Sequence, residues 1–339
     1  MRAARLHENA ESLVVEDLDD PSAPEGCAVV AVEAVFLSPY MGTLIDGSGG
    51  FVTPRRPFTP GMDCVGSIVA VGGGVTGVAV GDCVFCDSYI EAASPTGRTE
   101  YAFAGCFDIS GGAGEILDRW RDGALATHIV LPAECLTTVE PALSVTSADV
   151  LCRLGWMGTA YGGFVHGALS TDSSVAVYGA TGLVGVSAIV VALAMGAGRV
   201  CAVARSPERL AAFDGLDDRV ETSTEIPDGI DMVLNTVDID DPAWINQAAA
   251  ALNKGGSIVS VASTNPTVPA SGFVTKELAF RGSLWFPRDA PASLVRMIAE
   301  GRLPVDRFRV HPYGLDDVGA AVDHAARGVS PFEHVVVRP

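Results

Sequence analysis

The stretch that most limits what this chain can fold into is residues 173–205, SSVAVYGATGLVGVSAIVVALAMGAGRVCAVAR. An apolar, β-branched run leads into a glycine turn, then a long apolar helical segment, then a second apolar run. Strands that are apolar on both faces must be covered on both sides. A strand–helix–strand order on that pattern therefore predicts a parallel pair joined by a crossover helix. The alternation continues downstream. A helix start at Ser206–Pro207 carries proline in its first turn. DMVLNTV reads as a third buried strand, and GSIVSVA as a fourth after a Lys-Gly-Gly turn. PASLVRMIAEG is helical, followed by strand, helix and a last strand in EHVVVRP. Upstream, SADVLCRLGWMGTAYGGFVHGAL predicts one long helix capped near Ser147 or Asp149. The expected class is α/β, with a doubly wound parallel sheet in this half.

The first 140 residues have a different rhythm. AVVAVEAVFLS alternates as a strand, and DCVGSIVAVGGGVTGVAVGDCVF carries two apolar runs around a glycine cluster. These predict antiparallel sheet or a small barrel. Residues 87–125 interrupt that pattern with Gly, Ser, Thr and Asp among Tyr89, Tyr101, Phe103, Phe107 and Trp120. An irregular insertion of this length is either a pocket wall or a surface lobe with its own cluster. A length of 339 residues predicts about two domains. Forty-one acidic against 22 basic residues give a net charge of −19, which disfavours nucleic acid or an anionic membrane as partner. The eight cysteines are scattered, no signal peptide is visible, and the apolar stretch Val184–Gly198 is interrupted and too short for a bilayer. The expectation is a cytoplasmic protein with a reduced thiol inventory.

Gly179-Ala180-Thr181-Gly182-Leu183-Val184-Gly185 lies between strand and helix, the context a dinucleotide fingerprint requires. Gly182 lets the backbone approach a pyrophosphate, Gly185 lets helix and strand pack closely, and the helix N-terminus attracts the phosphates. Ala180 replaces the first glycine of the repeat. An acidic residue at the end of the second strand would mark NAD, but the sequence there is Val203-Ala204-Arg205-Ser206. Arg205, with Ser206 and Arg209, either holds the 2′-phosphate of NADPH or begins a solvated helix. Asn235 and Thr236 end the third strand, where ligands of open parallel sheets gather.

With these motifs in order, the chain resembles the medium-chain dehydrogenase/reductase superfamily over nearly its whole length. PGMDCVGSIVAVGGGVTGVAVGDCV is similar to the family's chaperonin-10-like domain. GATGLVGVSAIVVALAMGA resembles its nucleotide turn, LNKGGSIVSVA its Lys-Gly-Gly strand, and KELAFRGSLW the strand beside the nicotinamide. The resemblance implies a chaperonin-10-like β-rich catalytic domain over 1–150 and 286–339. It places a Rossmann nucleotide domain over 151–285 and implies a homodimer or homotetramer. The family's catalytic zinc ligands would fall at Ser38, Met62 and Gly155, and Cys83, Cys86 and Cys106 are one ligand short of its structural zinc lobe. No metal is therefore expected, and the chain is placed in the zinc-free branch, with quinone oxidoreductases and enone or alkenal reductases. FLSPYMG is similar to the N-terminal loop of the alkenal reductases.

That branch implies transfer of hydride from NADPH to a conjugated carbonyl, a small molecule bound in the cleft between domains. Tyr40 falls near the family's proton relay and is either a donor to the substrate oxygen or a loop tyrosine packed on Pro39. Ser38 is either a second donor or a turn hydroxyl. Asp63 more readily braces its turn. Thr159 is expected at the nicotinamide, and Trp156 either caps the pocket or belongs to the core. Val261, Ala262, Ser283 and Trp285 match the backbone that holds the nicotinamide carboxamide. The six histidines show no ligand spacing and receive no role. Two alternatives stand beside this reading: a metal-free alcohol or ketone oxidoreductase, and a cofactor-binding protein with non-redox catalysis or sensing.

Overall fold

A computed structural model describes residues 1–93, 97–239, 244–265 and 267–339. The described chain divides into two compact units. One contains Met1–Leu154, Phe308–Val329 and Glu333–Pro339, and the other contains Gly155–Arg307 with Ser330–Phe332. The tail rejoins the first unit at Phe308, where the expectation was residue 286. Residues 302–307 stay behind because their arginines are tied to the second unit. Arg302 donates to the Ala194 carbonyl at 3.1 Å, and Arg307 donates to the Asp214 and Gly215 carbonyls at 3.2 and 2.7 Å.

In the second unit six parallel strands form one sheet. Its spatial order is Val220–Ser223, Arg199–Val203, Ser174–Tyr178, Ile230–Asn235, Leu252–Ser260, Ala279–Gly282. Counted along the chain this is 3-2-1-4-5-6, the doubly wound arrangement. The order reverses between Ser174–Tyr178 and Ile230–Asn235, where Tyr178 and Asn235 are register partners. The helix Leu183–Ala194 is apolar all round, and Gly185 through Ala194 are buried, as a crossover segment with almost no polar face must be. Ala176, Val203, Val233, Trp244, Ile245 and Ile258 form a core cluster on this sheet. Val220–Ser223 is a strand that no apolar run announces; it is an edge strand with no buried residue.

The first unit is built on a seven-stranded sheet centred on Cys27–Phe36. This ten-residue strand pairs antiparallel with Cys64–Val71, His128–Pro132 and Glu333–Arg338. Cys83–Cys86 and Leu136–Thr138 extend one side. Arg309–Gly314 extends the other, parallel to Glu333–Arg338.

The structure corrects two further expectations. Of the interval 87–125, residues 94–96 lie outside the described residues. The rest is ordered as the antiparallel strands Tyr89–Ala93, Thr99–Phe103 and Phe107–Asp108 plus the helix Gly114–Arg119. The helix expected from residue 147 onward is broken into Ala148–Leu151 and Leu154–His166. At the break, Arg153 is fully buried in the first unit, its guanidinium 4.7 Å from the Phe308 ring centroid and 5.9 Å from that of Phe36. No helix among the described residues is long and apolar enough to cross a membrane.

Candidate active site

In the second unit the expected cofactor residues gather on the carboxyl edge of the sheet. The backbone N–H groups of Gly179 and Ala180 donate to the Val203 carbonyl at 2.9 and 3.1 Å, binding the glycine turn to the neighbouring strand. A Cβ at Gly185 would stand 2.2 Å from the Gly179 oxygen, so only glycine permits the helix to sit this close to the turn. Gly182, the residue before the helix, is exposed. A Cβ there would meet only the Gly179 oxygen, at 3.5 Å. No side chain caps this helix start, which leaves the positive end of the dipole facing an open cradle, suited to an anion. Thr181, Leu183 and Val184 are half-buried around it, and Ala180 is buried.

At the next strand end, Arg205 is exposed and, among the described residues, makes no hydrogen bond or ion pair. Ser206 accepts the Arg209 backbone N–H at 3.3 Å and caps the helix Pro207–Leu210. The Arg209 guanidinium donates to the Thr181 carbonyl at 3.1 Å, linking this helix to the glycine turn. Asn235 is buried, and its amide donates to the Val237 carbonyl and the Ser260 hydroxyl at 2.9 and 3.0 Å. Its side chain braces the strand end and leaves backbone to face a ligand.

Val261 donates through its backbone to the Asn235 carbonyl at 3.0 Å, and Ser283 to the Ser260 carbonyl at 2.9 Å. Val261 and Ala262 are half-buried beside them. The Trp285 ring stacks on Phe286 at 4.6 Å. A Cβ at Gly162 would come within 2.3 Å of the Trp285 carbonyl oxygen, so the helix Leu154–His166 lies directly on that segment. Thr159 is buried, with its hydroxyl donating to the Gly155 carbonyl at 3.0 Å. His166, given no role from sequence, hydrogen-bonds Ser283 through Nδ1 at 2.9 Å. A single histidine at a helix end carries no pattern that could have flagged it.

In the first unit the loop after Cys27–Phe36 assembles Ser38, Tyr40 and Met62. Ser38 is buried and accepts the Tyr40 backbone N–H at 3.4 Å. Tyr40 is half-buried, and its phenol Oη donates to the Met62 thioether at 2.6 Å. Burial, and next the nearby Cys106 thiol, push the phenol well above its usual range, so it stays protonated. Asp63 is buried and accepts a hydrogen bond from the Ser88 hydroxyl at 3.3 Å. Burial and then the Asp87 carboxylate raise its carboxyl well above the ordinary range. Phe51 and Phe107 lie against Tyr40, each 5.8 Å between ring centroids. Phe51 escaped sequence reasoning because only the fold returns its loop to Tyr40.

The metal question turns on the donors. Ser38 contributes a hydroxyl, Met62 a thioether already bonded to Tyr40, and Gly155 no side chain. Cys83 and Cys86 are three apart on one strand and face opposite sides of the sheet. Burial pushes the Cys83 thiol up to about 11. Among the described residues no group of three or more His, Cys, Asp or Glu side chains is placed to hold a metal ion.

Two family profiles match this chain: the alcohol dehydrogenase GroES-like domain over residues 25–141 and the zinc-binding dehydrogenase domain over 184–300. Acryloyl-coenzyme A reductase of Metallosphaera sedula is 27% identical over 331 residues, covering 93% of this chain and 94% of that protein. Sorbitol dehydrogenase of Bacillus subtilis is 24% identical over 359 residues, covering 100% and 97%. The structure of the alcohol dehydrogenase TADH from Thermus sp. ATN1 aligns with a TM-score of 0.79 at 25% identity, covering 100% of this chain and 99% of that one.

Proposed function

The chain belongs to the medium-chain dehydrogenase/reductase superfamily of oxidoreductases, and from that premise we propose that it is an NADPH-dependent, zinc-independent reductase of conjugated carbonyl compounds. The observation that supports this reading is the Tyr40–Met62 hydrogen bond: a protonated phenol, at the position matched to the family's proton relay, donates to a thioether at a position matched to a metal ligand. A hydroxyl, a thioether and a glycine do not make a zinc site of the family's kind, so the oxygen of the substrate needs another electrophile.

The cradle at Gly179–Gly185 fits a dinucleotide, with space at Gly182 for a pyrophosphate and an uncapped helix start. Arg205, exposed beside it, supports a 2′-phosphate contact, with Arg209 holding the turn in place. Thr159, Asn235, Val261, Ala262, Ser283 and Trp285 order the strand ends around the nicotinamide, mainly through main chain. When bound, the reduced nicotinamide supplies the hydride that adds to the β-carbon of the acceptor. The C=C π pair then becomes the new bond between the α-carbon and the carbonyl carbon, the C=O π pair moves onto oxygen, and Tyr40 turns its O–H from the Met62 thioether to donate a hydrogen bond to the enolate while keeping its proton. Ser38 serves as the second donor to that oxygen. A solvent-derived proton at the α-carbon completes the reduction.

Tyr40→Phe should lower kcat at least tenfold while leaving the NADPH dissociation constant unchanged. Unchanged turnover removes Tyr40 from the mechanism. Metal analysis should find no stoichiometric zinc; about one zinc per chain, lost together with activity, overturns the zinc-free reading. A second reading, metal-free oxidoreduction of alcohols and ketones, draws on the full-length likeness to sorbitol dehydrogenase. It predicts turnover of a saturated ketone or an alcohol and no reduction of an activated C=C bond.

A further inference from the structure

Resting on the enone reading above, we infer that the acceptor carries an aromatic ring and that Phe51 and Phe107 select for it. Tyr89, Tyr101, Phe103 and Phe107 of the segment after Asp87 pack on one another in series, and Phe107 carries that cluster to Tyr40. The Phe51 and Phe107 rings stack at 4.6 Å with 24° between planes. Tyr40 tilts against Phe51 and meets Phe107 edge-on at 72°. Phe103 continues the series, edge-on to Phe107 at 5.3 Å.

Backbone fixes this arrangement. The Asp108 N–H donates to the Val52 carbonyl at 2.9 Å, which anchors the loop carrying Phe51 to the strand carrying Phe107. Gly49 clears the space for the ring: a Cβ there would lie 2.4 Å from it. The Thr43 hydroxyl donates to the Tyr40 carbonyl at 2.9 Å and closes the same loop from the other side.

The cluster has two parts. Tyr89 and Phe103 are buried and serve as core, whereas Tyr40, Phe51 and Phe107 are half-buried. Two partly open rings, stacked on each other beside the proposed donor phenol, form an aromatic wall with both faces and edges on offer. A saturated ring of equal size gains only area against that wall. An aryl ring gains the stacked and edge-on interactions as well, worth roughly two- to tenfold in affinity per contact.

The test compares benzylideneacetone with its cyclohexyl analogue, in binding to the NADP⁺-loaded chain by calorimetry and in kcat/KM with NADPH. The wild type should bind the aryl compound about tenfold more tightly. Phe51→Leu and Phe107→Leu, each checked for an unchanged melting temperature, should each cut the aryl/cyclohexyl ratio at least threefold, with the aryl constant weakening more than the cyclohexyl one. Equal binding of the two compounds, or a ratio unmoved by either variant, overturns the inference even where both enones are reduced. An aryl preference that both variants erode, without hydride transfer to either compound, upholds the inference and refutes the enone reading.

Discussion

Gly182 and Gly185 lie three residues apart in one turn, and the structure assigns them different work. At Gly185 a methyl group would sit 2.2 Å from the Gly179 oxygen and 2.7 Å from the Ala180 backbone, against ordinary contact at 3.4–4 Å. The obstacle is main chain, so Gly185→Ala forces the helix start to retreat by about 1 Å. Inserting a methyl into a packed site costs about 1–3 kcal/mol. Alanine returns about 1 kcal/mol of helix propensity, and a backbone obstacle belongs at the costly end of the range. The net loss is about 2 kcal/mol, or about 4–8 °C in melting temperature for a unit of this size. At Gly182 the methyl has nothing nearer than 3.5 Å, and the residue's φ of −84° suits any side chain. Gly182→Ala exchanges a fair N-cap for a poor one, a loss of under about 1 kcal/mol that the lower chain entropy of alanine in the unfolded state partly offsets, so it should melt within about 2 °C of the wild type. Its methyl occupies the approach to the helix start, however, and NADP⁺ affinity measured by calorimetry should fall at least tenfold. Thermal melts and titrations of the two variants decide the matter. A Gly185→Ala protein as stable as the wild type refutes the packing argument, and a Gly182→Ala protein with full affinity refutes the cradle.

Arg205→Ala should weaken NADPH by about 10- to 100-fold, the range for one charge-assisted contact, and leave NADH untouched; an equal loss for both cofactors removes the 2′-phosphate assignment. Lys276, one of only two lysines, donates to the carbonyls of Ala249, Ala250 and Leu252 at 3.1, 2.6 and 2.7 Å and so closes the end of the helix Trp244–Ala251. Lys276→Met should destabilise the second unit by about 1–2 kcal/mol in urea, and no change would mean that water replaces it freely. His334 is buried, its Nε2–H donates to the Asp149 carbonyl at 2.8 Å, and burial, reinforced by Arg153, lowers its pKa from 6.5 to about 3. The folded chain keeps this ring neutral while the unfolded chain protonates below pH 6.5, so stability falls with acidification between 6.5 and about 3, by up to about 1.4 kcal/mol per pH unit. His334→Gln should flatten that slope; an unaltered slope means other groups set it.

What the sequence made legible was local chemistry. The glycine turn, its flanking strands and the Lys-Gly-Gly strand are each specified within a few residues by periodicity and by backbone demands that only glycine meets. The strand Val220–Ser223 stayed hidden because an exposed edge strand needs no apolar run. The break at Arg153 and the ring contact between Phe51 and Phe107 arise from partners far along the chain, which no window of sequence contains. The side chains of Asn235 and Ser206 are legible as polar groups at a strand or helix end, and Thr159 through the family resemblance alone. Only coordinates show that each hydrogen-bonds protein atoms.

The division of the chain bears on how the protein is made. The central strand Cys27–Phe36 lies beside Glu333–Arg338, whose residues leave the ribosome some 300 positions later. Gly155–Arg307, by contrast, is almost continuous and has all six strands of its sheet once residue 282 has emerged. The unit that begins first in sequence is therefore the last to close. Its apolar strands must wait, partly unpaired, through the synthesis and folding of the other unit. A chain truncated after residue 310 and released should carry a protease-resistant nucleotide unit and a protease-sensitive amino-terminal segment.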